Sequence, residues 1–279
     1  VFLSLLLILD LLLVVFVPSI GVMGGVSGIH YHKNNLGLVL AISAIFYAFT
    51  SVNIFFRNLV VILLVLFCFL IGAKTSFFLS LFIILFLMLV RGLREYLDFI
   101  LLKTAVQIVA IMSAIAFPMV LYYSENIVGN ILQWLDGDIL TGRGNIWRLA
   151  LSLADSPYFG SGFGAFWQVG SEGVVNYFID SPSLQWMLKI EQAHNGYLDV
   201  FLSLGLFGLF YIVLFLLIIL SRSLMLAKSN NDYLLLALLV YSIVSNFSET
   251  SLMYYYSPLW VLVLLIVMRK SDADLGGVK

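Results

Sequence analysis

Arg143 and His194 are the two residues of this chain whose side chains are best suited to chemistry on an anionic substrate. A guanidinium offers a fork of N–H donors to phosphate oxygens, and an imidazole exchanges a proton near neutral pH. They bracket much of the one long polar segment, residues 123–196, in a chain that is otherwise nearly continuous hydrocarbon. This pairing predicts an anion site with a proton acceptor at the border of an apolar region.

Five further residues are candidates for a supporting role: Lys74, His30, His32, Lys33 and Glu249. Lys74 would add positive charge for an anion. Glu249 is either the partner of a basic side chain or a second catalytic carboxylate, and we favour the first. Two histidines without a third ligand are poor evidence for a metal, so His30 and His32, with Lys33, are interpreted as acceptor-side or supporting residues.

The main candidates also have purely structural interpretations. Arg143 could pair with Asp136, Asp138 or a lipid headgroup, and His194 with Asn195 could simply cap a helix. Asp10 lies in an apolar run, where an ionisable group is costly, and we expect it to reach the headgroup region. The functional interpretation depends on the candidates sharing one face of a membrane.

The composition predicts an integral membrane protein. The chain is 62% hydrophobic and 10% charged, with a mean hydropathy of +1.09, whereas soluble domains are about half apolar and a quarter charged. The formal charge of −1 argues against a nucleic-acid partner, which requires a basic face. The single cysteine, Cys68, cannot form an internal disulfide. Because the chain opens inside an apolar run, we expect further helices upstream.

Hydropathy predicts an all-α polytopic fold with about eight transmembrane helices, since about 20 apolar residues cross a bilayer. The predicted spans are residues 1–17, 37–56, 58–72, 75–90, 99–122, 197–220, 233–247 and 252–268. They divide the chain into N-terminal membrane helices (1–122), a large loop (123–196) and C-terminal helices with a short cytoplasmic tail (197–279).

The distribution of basic residues predicts the orientation. If the spans alternate, one side receives nine of the fourteen Lys and Arg residues, and the positive-inside rule makes that side cytoplasmic. The nine are Arg57, Arg91, Arg94, Lys103, Arg222, Lys228, Arg269, Lys270 and Lys279. The large loop is then extracytoplasmic, on the same face as the 30–33 turn, Lys74 and Glu249.

The large loop has internal order. Apolar residues at one-sided helical spacing predict a helix over 145–154, ended by Ser156 and Pro157. Four of the five tryptophans lie in the loop, at 134, 147, 167 and 186. They could stack on sugar rings, but an aromatic belt at the membrane surface is the favoured interpretation.

Several motifs, in this order, resemble the O-antigen ligase and polymerase superfamily of the Wzy and WaaL type. They are GIHYHKNNLG at 28–37, LTGR at 140–143 with IW at 146–147, SPYFGSGFGAFW at 156–167, AHNGYL at 193–198, LGLFG at 204–208 and NFSETSL at 246–252. Within that superfamily the chain is most similar to exopolysaccharide polymerases of the ExoQ kind.

The resemblance implies an inverting, metal-independent glycosyltransferase with a GT-C-like fold, no cofactor and an undecaprenyl-diphosphate-linked glycan as donor. It implies that Arg143 holds the diphosphate and that His194 acts at the acceptor. Where the family usually has Ser-Arg-Thr, this chain has Ala73, Lys74 and Thr75, so Lys74 would bind the diphosphate without a guanidinium fork.

The expected activity is polymerisation of repeat units into cell-surface polysaccharide, on the outer face of a bacterial inner membrane. Flippase and chain-length regulator proteins are expected partners beside membrane lipids. Two alternatives remain open. One is a ligase that transfers a finished glycan. The other is a transporter of lipid-linked glycan, which would carry charge near the midplane of several helices, whereas this chain keeps its charge in loops.

Overall fold

The protein is all-helical wherever its structure, a computed structural model, describes the chain: residues 9–10, 27–30, 33–93, 99–122, 130–131, 143–154, 156–167 and 190–269. These parts contain eight α-helices and no strand, which confirms that the fold is all-α. The helices are α1 (Lys33–Ala48), α2 (Ile54–Leu70), α3 (Lys74–Gly92), α4 (Phe99–Tyr122), α5 (Arg143–Ser152), α6 (Gly196–Leu226), α7 (Asn230–Ser245) and α8 (Pro258–Met268).

Among the described residues, two helices are long and apolar enough to cross a membrane. They are α3, with 19 residues, and α6, with 31 residues. The helices α1, α2 and α8 are also apolar but shorter, and so is the 104–120 part of α4. The predicted span at 1–17 lies almost entirely outside the described residues, and the number of crossings stays a prediction.

The first of two compact units is drawn from Val1–Ile100, Ser223–Ser245 and Lys270–Lys279. Its helices α1, α2, α3 and α7 pack against one another. Part of its core comes from α1, from the end of α2 and from the turn that follows: Leu36, Leu40, Cys68, Ile71 and Ala73. Gly37 permits the close approach, since a Cβ there would overlap Ala73. The first turn of α1 therefore lies beside the first turn of α3.

Polar side chains determine where α2 and α7 begin. Asn53 Oδ1 accepts hydrogen bonds from the backbone N–H groups of Phe55 and Phe56, at 3.0 and 3.3 Å. Ahead of α7, Asp232 Oδ2 accepts from the Ser229 N–H at 2.7 Å, and Ser229 Oγ accepts from the Asp232 N–H at 3.3 Å. The second arrangement is a capping box, which satisfies N–H groups that have no partner inside the helix.

Four predicted spans extend past the observed helices, among them 58–72, since α2 ends at Leu70. α1 ends at Ala48 and not at 56, because the cap at Asn53 assigns residues 54–56 to α2. α7 ends at Ser245 and not at 247. α8 begins at Pro258 and not at 252, because residues 251–257 form two successive turns. A proline suits the first turn of a helix, where its missing N–H costs nothing.

The prediction that Asp10 reaches the headgroup region is also wrong. Its side chain is fully buried, and its carboxylate accepts a hydrogen bond from the Ile29 N–H at 2.9 Å. The other carboxylate oxygen lies 3.3 Å from His30 Nε2. A buried carboxylate needs such partners, and the tight turn at Gly28, with φ of 61°, brings them to Asp10.

The second compact unit is drawn from Leu101–Arg222 and Asn246–Arg269. Its core joins α5, the segment around Phe166 and the first turns of α6: Ala150, Leu151, Leu153, Phe166, Ala193, Phe201 and Leu202. The one-sided helix predicted in the large loop is thus confirmed, two residues earlier than expected. At the opposite end of α6, Arg222 donates to the carbonyls of Val267 and Arg269, at 3.1 and 2.6 Å, and satisfies the end of α8.

α6 is broken at Gly205, whose φ of 66° and ψ of −165° are not helical. Backbone N–H groups of the 157–162 segment donate to the carbonyls of Leu202 and Ser203, both at 2.9 Å. The N–H of Leu206 in turn donates to a carbonyl of that segment at 2.8 Å. The backbone groups of α6 that lose their helical partners at the break are thus hydrogen-bonded to the 157–162 segment, which is inserted there.

Candidate active site

Arg143, Glu249 and His194 form one cluster in the second unit. Arg143 Nη2 donates to Glu249 Oε1 at 3.1 Å, and His194 Nδ1 lies 3.7 Å from Glu249 Oε2. One carboxylate therefore faces a guanidinium with one oxygen and an imidazole with the other. The three side chains are between 24% and 36% exposed, so a substrate can reach them.

The backbone holds His194 in an unusual conformation. Its φ of 51° is left-handed, and Met253 is the only other described non-glycine residue with positive φ. Such a conformation costs ~1–3 kcal/mol and is found most often at functional sites. The next residue, Asn195, caps α6, since its Oδ1 accepts from the N–H groups of Tyr197 and Leu198, each at 3.1 Å. The capping interpretation is correct for Asn195, and it leaves the imidazole available.

The imidazole of His194 lies beside Glu249 without a hydrogen bond to it. His194 Nδ1 is buried and makes no hydrogen bond to any part of the chain that the structure describes. Buried polar atoms normally have a partner. Closing the 3.7 Å gap to a usual hydrogen-bond length of about 2.9–3.0 Å would give Nδ1 a carboxylate acceptor and leave Nε2 as the basic nitrogen.

Asn246 positions the loop that carries Glu249. Its fully buried side chain accepts from the N–H groups of Ser251 and Leu252, at 2.9 and 3.0 Å. The backbone carbonyls of Asn246 and Glu249 both accept from the Gly196 N–H, at 2.8 and 3.1 Å. A Cβ at Gly196 would overlap the Asn246 side chain, so glycine is required where this loop meets α6.

Asp199 is the residue of this site that the sequence analysis missed. It is 4% exposed, and its carboxylate accepts from Trp167 Nε1 at 2.6 Å, from the Ala193 N–H at 3.0 Å and from Thr250 Oγ1. It thereby links the residue before His194 to the residue after Glu249. A carboxylate inside an apolar span is a signal that could have identified it.

Two tryptophans help to position the cluster. Trp147 Nε1 donates to the Ala193 carbonyl at 2.8 Å, and Trp167 Nε1 donates to Asp199. Both N–H groups are therefore used inside the unit, which the aromatic-belt interpretation did not anticipate. Trp134 and Trp186 lie outside the described residues, as do Asp136 and Asp138, the alternative partners of Arg143.

The remaining candidates belong to the first unit. His30 is paired with the buried Asp10, which favours its supporting interpretation. Lys33 is the first residue of α1, and its Nζ lies 3.7 Å from the position that a Cβ of Gly72 would occupy. Lys74 is exposed and is the first residue of α3. His32 lies outside the described residues.

Several of these cations lie at helix N-termini. Lys33, Lys74 and Arg143 are each the first residue of a helix. A cation at a helix N-terminus is repelled by the helix dipole, which typically costs 0.3–1 kcal/mol. An anion bound at the same place is attracted both by the dipole and by the cation. At Arg143 the carboxylate of Glu249 supplies such an anion.

The cluster can bind an anion and accept a proton in the same place. Only one hydrogen bond from the five-donor guanidinium to Glu249 is observed, so its other edge can contact phosphate oxygens. The imidazole, which lies beside a carboxylate, can take a proton from a hydroxyl group.

A comparison with protein families identifies the family to which this chain is similar. A family model described as O-Antigen ligase matches residues 59–213, which is more than half of the 279-residue chain. The match includes Arg143, His194 and Asp199 and ends before Glu249. No curated protein and no solved structure matches the chain.

Proposed function

The chain belongs to the O-antigen ligase family, and from that premise we propose that it polymerises lipid-linked oligosaccharide repeat units into cell-surface polysaccharide. The family membership establishes a ligase or polymerase type of function in a membrane. The polymerase role, the undecaprenyl-diphosphate donor, the GT-C-like multi-pass fold and the inner-membrane location are our proposals. A flippase and a chain-length regulator are proposed partners, and the closer similarity to ExoQ-like polymerases stays a prediction.

The observation that carries the proposal is the Arg143–Glu249–His194 cluster. Glycosyl transfer from a diphosphate donor requires a cation for the leaving group and a base for the acceptor. The structure brings one of each to the same carboxylate, at 3.1 and 3.7 Å. Residues 143, 194 and 249 are far apart in the sequence, so their meeting is a tertiary feature.

We propose the following step. The acceptor hydroxyl oxygen attacks C1 of the donor sugar and loses its proton to His194 Nε2. The bond between C1 and the diphosphate oxygen breaks, its electron pair leaves with the diphosphate, and the configuration at C1 inverts. Glu249 holds the imidazole through Nδ1 and stabilises the imidazolium that forms.

Arg143 stabilises the leaving diphosphate. Negative charge grows on that group in the transition state, and a cation fixed in a water-poor site lowers the barrier because it needs no reorganisation. Lys74 is proposed as a second cation for the diphosphate, at the start of α3, whose N-cap Ala73 provides no side-chain hydrogen bond.

The proposal is tested with His194→Ala and Arg143→Ala in membranes supplied with lipid-linked donor. Loss of the base is expected to reduce glycan formation ~10²–10⁴-fold, and loss of the guanidinium ~10²–10³-fold, with donor accumulating in both cases. Arg143→Lys should retain part of the activity, since charge remains and the fork is lost. Product of normal amount and length from His194→Ala would show that the imidazole has no catalytic role.

Metal independence is a separate proposal. We expect a chelator to leave the activity of the purified protein unchanged, because positioned cations replace the divalent ion. Activity that disappears with chelator and returns with a divalent metal would contradict it.

Ligation of a finished glycan is the second candidate function, favoured by the description of the matching family. The two are distinguished by the glycan left on the carrier lipid in cells that lack this protein. Single repeat units are expected for a polymerase, and long chains would indicate a ligase.

A further inference from the structure

A cavity of about 470 Å³ lies next to the proposed catalytic cluster in the second unit. Its size is within the range of about 300–1,000 Å³ that is usual for ligand sites. Among its lining residues are Trp167, Tyr254, Tyr255, Tyr256, Glu191 and Ser203. Arg143, His194 and Glu249 do not line it, so the mechanism above leaves the cavity without a function.

Two connections tie the cavity to the cluster. Asp199 contributes to the cavity wall and also holds Ala193, the residue before His194, and Thr250, the residue after Glu249. Met253, which shares a left-handed backbone with His194, lies in the same wall. A group bound in the cavity is therefore close in structure to the proposed reacting atoms.

The tyrosine side chains of the cavity present exposed rings that a bound ligand can contact. Tyr255 and Tyr256 are 87% and 65% exposed, and their rings meet edge to face at 5.0 Å. Tyr254 pairs with Tyr256 in the same way at 5.4 Å and donates to the Glu191 carbonyl at 3.3 Å. Tyrosines combine an apolar face with a polar end, which suits a ligand that has both kinds of surface.

The acidic residues that line the cavity disfavour an anionic ligand. Its described lining contains the carboxylates Glu191 and Asp199 and neither lysine nor arginine, so it repels a diphosphate or an anionic lipid headgroup. Burial, and then the nearby carboxylates, raise the pKa of Tyr254, so its hydroxyl stays protonated. Hydroxyl-rich neutral molecules can donate to the exposed carboxylate of Glu191 and place their C–H faces on the rings.

We propose that this cavity is a subsite for neutral saccharide rings of the glycan, separate from the diphosphate site at Arg143. The proposal rests on the proposed function, since it names where the sugar part of that substrate binds. In this proposal the tyrosines at 254–256 bind sugar.

The test uses the full chain purified in detergent and two probes. The first is the neutral oligosaccharide released from the carrier lipid by mild acid and phosphatase. The second is a short polyprenyl phosphate without sugar. Binding of each is followed by ligand-observed saturation-transfer NMR and by titration.

Tyr255→Leu is expected to weaken oligosaccharide binding about tenfold and to leave polyprenyl phosphate binding unchanged. Tyr255→Phe keeps the ring face and should bind within about twofold of wild type. Tyr211→Leu is the matched control, since Tyr211 is 64% exposed and does not line the cavity. Both tyrosines are exposed, so loss of folding is not expected.

The proposal is overturned if the wild type shows no saturable oligosaccharide binding, or if Tyr255→Leu and Tyr211→Leu bind it equally. It is also overturned if Tyr255→Leu weakens the polyprenyl phosphate instead, which would make the cavity an isoprenoid site. Because His194→Ala should retain oligosaccharide binding, failure of the catalytic proposal and failure of the subsite give different results.

Discussion

At the scale of single residues, Glu249 has two neighbours of different character. Its carboxylate neutralises Arg143 through one oxygen and faces His194 through the other. Glutamine can preserve the hydrogen bond from Arg143, but it has no negative charge with which to stabilise an imidazolium. The two contributions of Glu249 can therefore be separated.

We expect Glu249→Gln to lower kcat about 10-fold to 100-fold with little change in KM for the lipid-linked donor. The measurement is steady-state glycan formation at varied donor concentration. Equal loss in kcat and in donor affinity would show that Glu249 mainly holds Arg143 for binding.

Asp199 acts on the site through other residues. Its carboxylate fixes Ala193, Trp167 and Thr250, and so it positions the residues next to His194 and Glu249 in the proposed catalytic cluster. In Asp199→Asn an amide N–H₂ faces groups that are themselves donors, and at least one donor loses its partner at a cost of ~1–3 kcal/mol.

The expected result for Asp199→Asn is a lower unfolding temperature together with a fall in kcat per folded molecule. The matched control is Asp232→Asn, a carboxylate that is also buried, at 6% exposure, and that caps α7. This control should lose stability without losing kcat. If both variants lose stability and kcat to the same extent, Asp199 has only a structural role.

At the scale of elements, the break in α6 organises the second unit. Gly205 combines a left-handed φ with contact to the Tyr158 backbone, where a Cβ would overlap. The inserted 157–162 segment leads directly to Phe166 and Trp167, which pack or bond against the first turns of α6. The break therefore determines where the residues that support His194 lie.

Gly205→Ala is expected to lower the free energy of unfolding by ~2–4 kcal/mol, from backbone strain and overlap together. Gly164→Ala is the control, since Gly164 also has positive φ, of 74°, but a Cβ there meets nothing within 4 Å. Thermal unfolding of both purified variants separates overlap from strain. Equal losses would mean that the close approach at Gly205 contributes nothing.

At the scale of the whole molecule, the proposed orientation in the membrane rests on charge. The predicted short loops on one side carry most of the basic residues, and by the positive-inside rule we propose that the large loop lies on the other side. Cys68 is buried in the first unit and donates to the Gly37 carbonyl, so the native chain gives little background in labelling with thiol reagents.

We expect Asn145→Cys, at an exposed position of α5, to react with an impermeant maleimide in right-side-out vesicles. Arg91→Cys, at an exposed position near the end of α3, should react only after the vesicles are opened. The reverse pattern would move the catalytic cluster to the cytoplasmic side and contradict the proposed function.

The sequence alone predicted the helical class and the membrane character, because apolar composition acts through local chemistry. Its rare polar groups and its resemblance to a known family also indicated Arg143, His194 and Glu249 as candidates. It also predicted α5 from its one-sided spacing. It could not determine helix ends set by caps, such as Asn53, or by successive turns, as before Pro258. These depend on a few hydrogen bonds and not on hydropathy.

Only the tertiary structure decided which groups meet. Asp199 accepts hydrogen bonds from Trp167 Nε1 and Thr250 Oγ1, which lie far from it in the chain. The carbonyl of Asn246 accepts from the N–H of Gly196, which is equally remote in the sequence. Hydrogen-bond partners far apart in the chain leave no periodic pattern in the sequence. For that reason the carboxylate shared by Arg143 and His194, and the tyrosine-lined cavity beside it, became visible only in three dimensions.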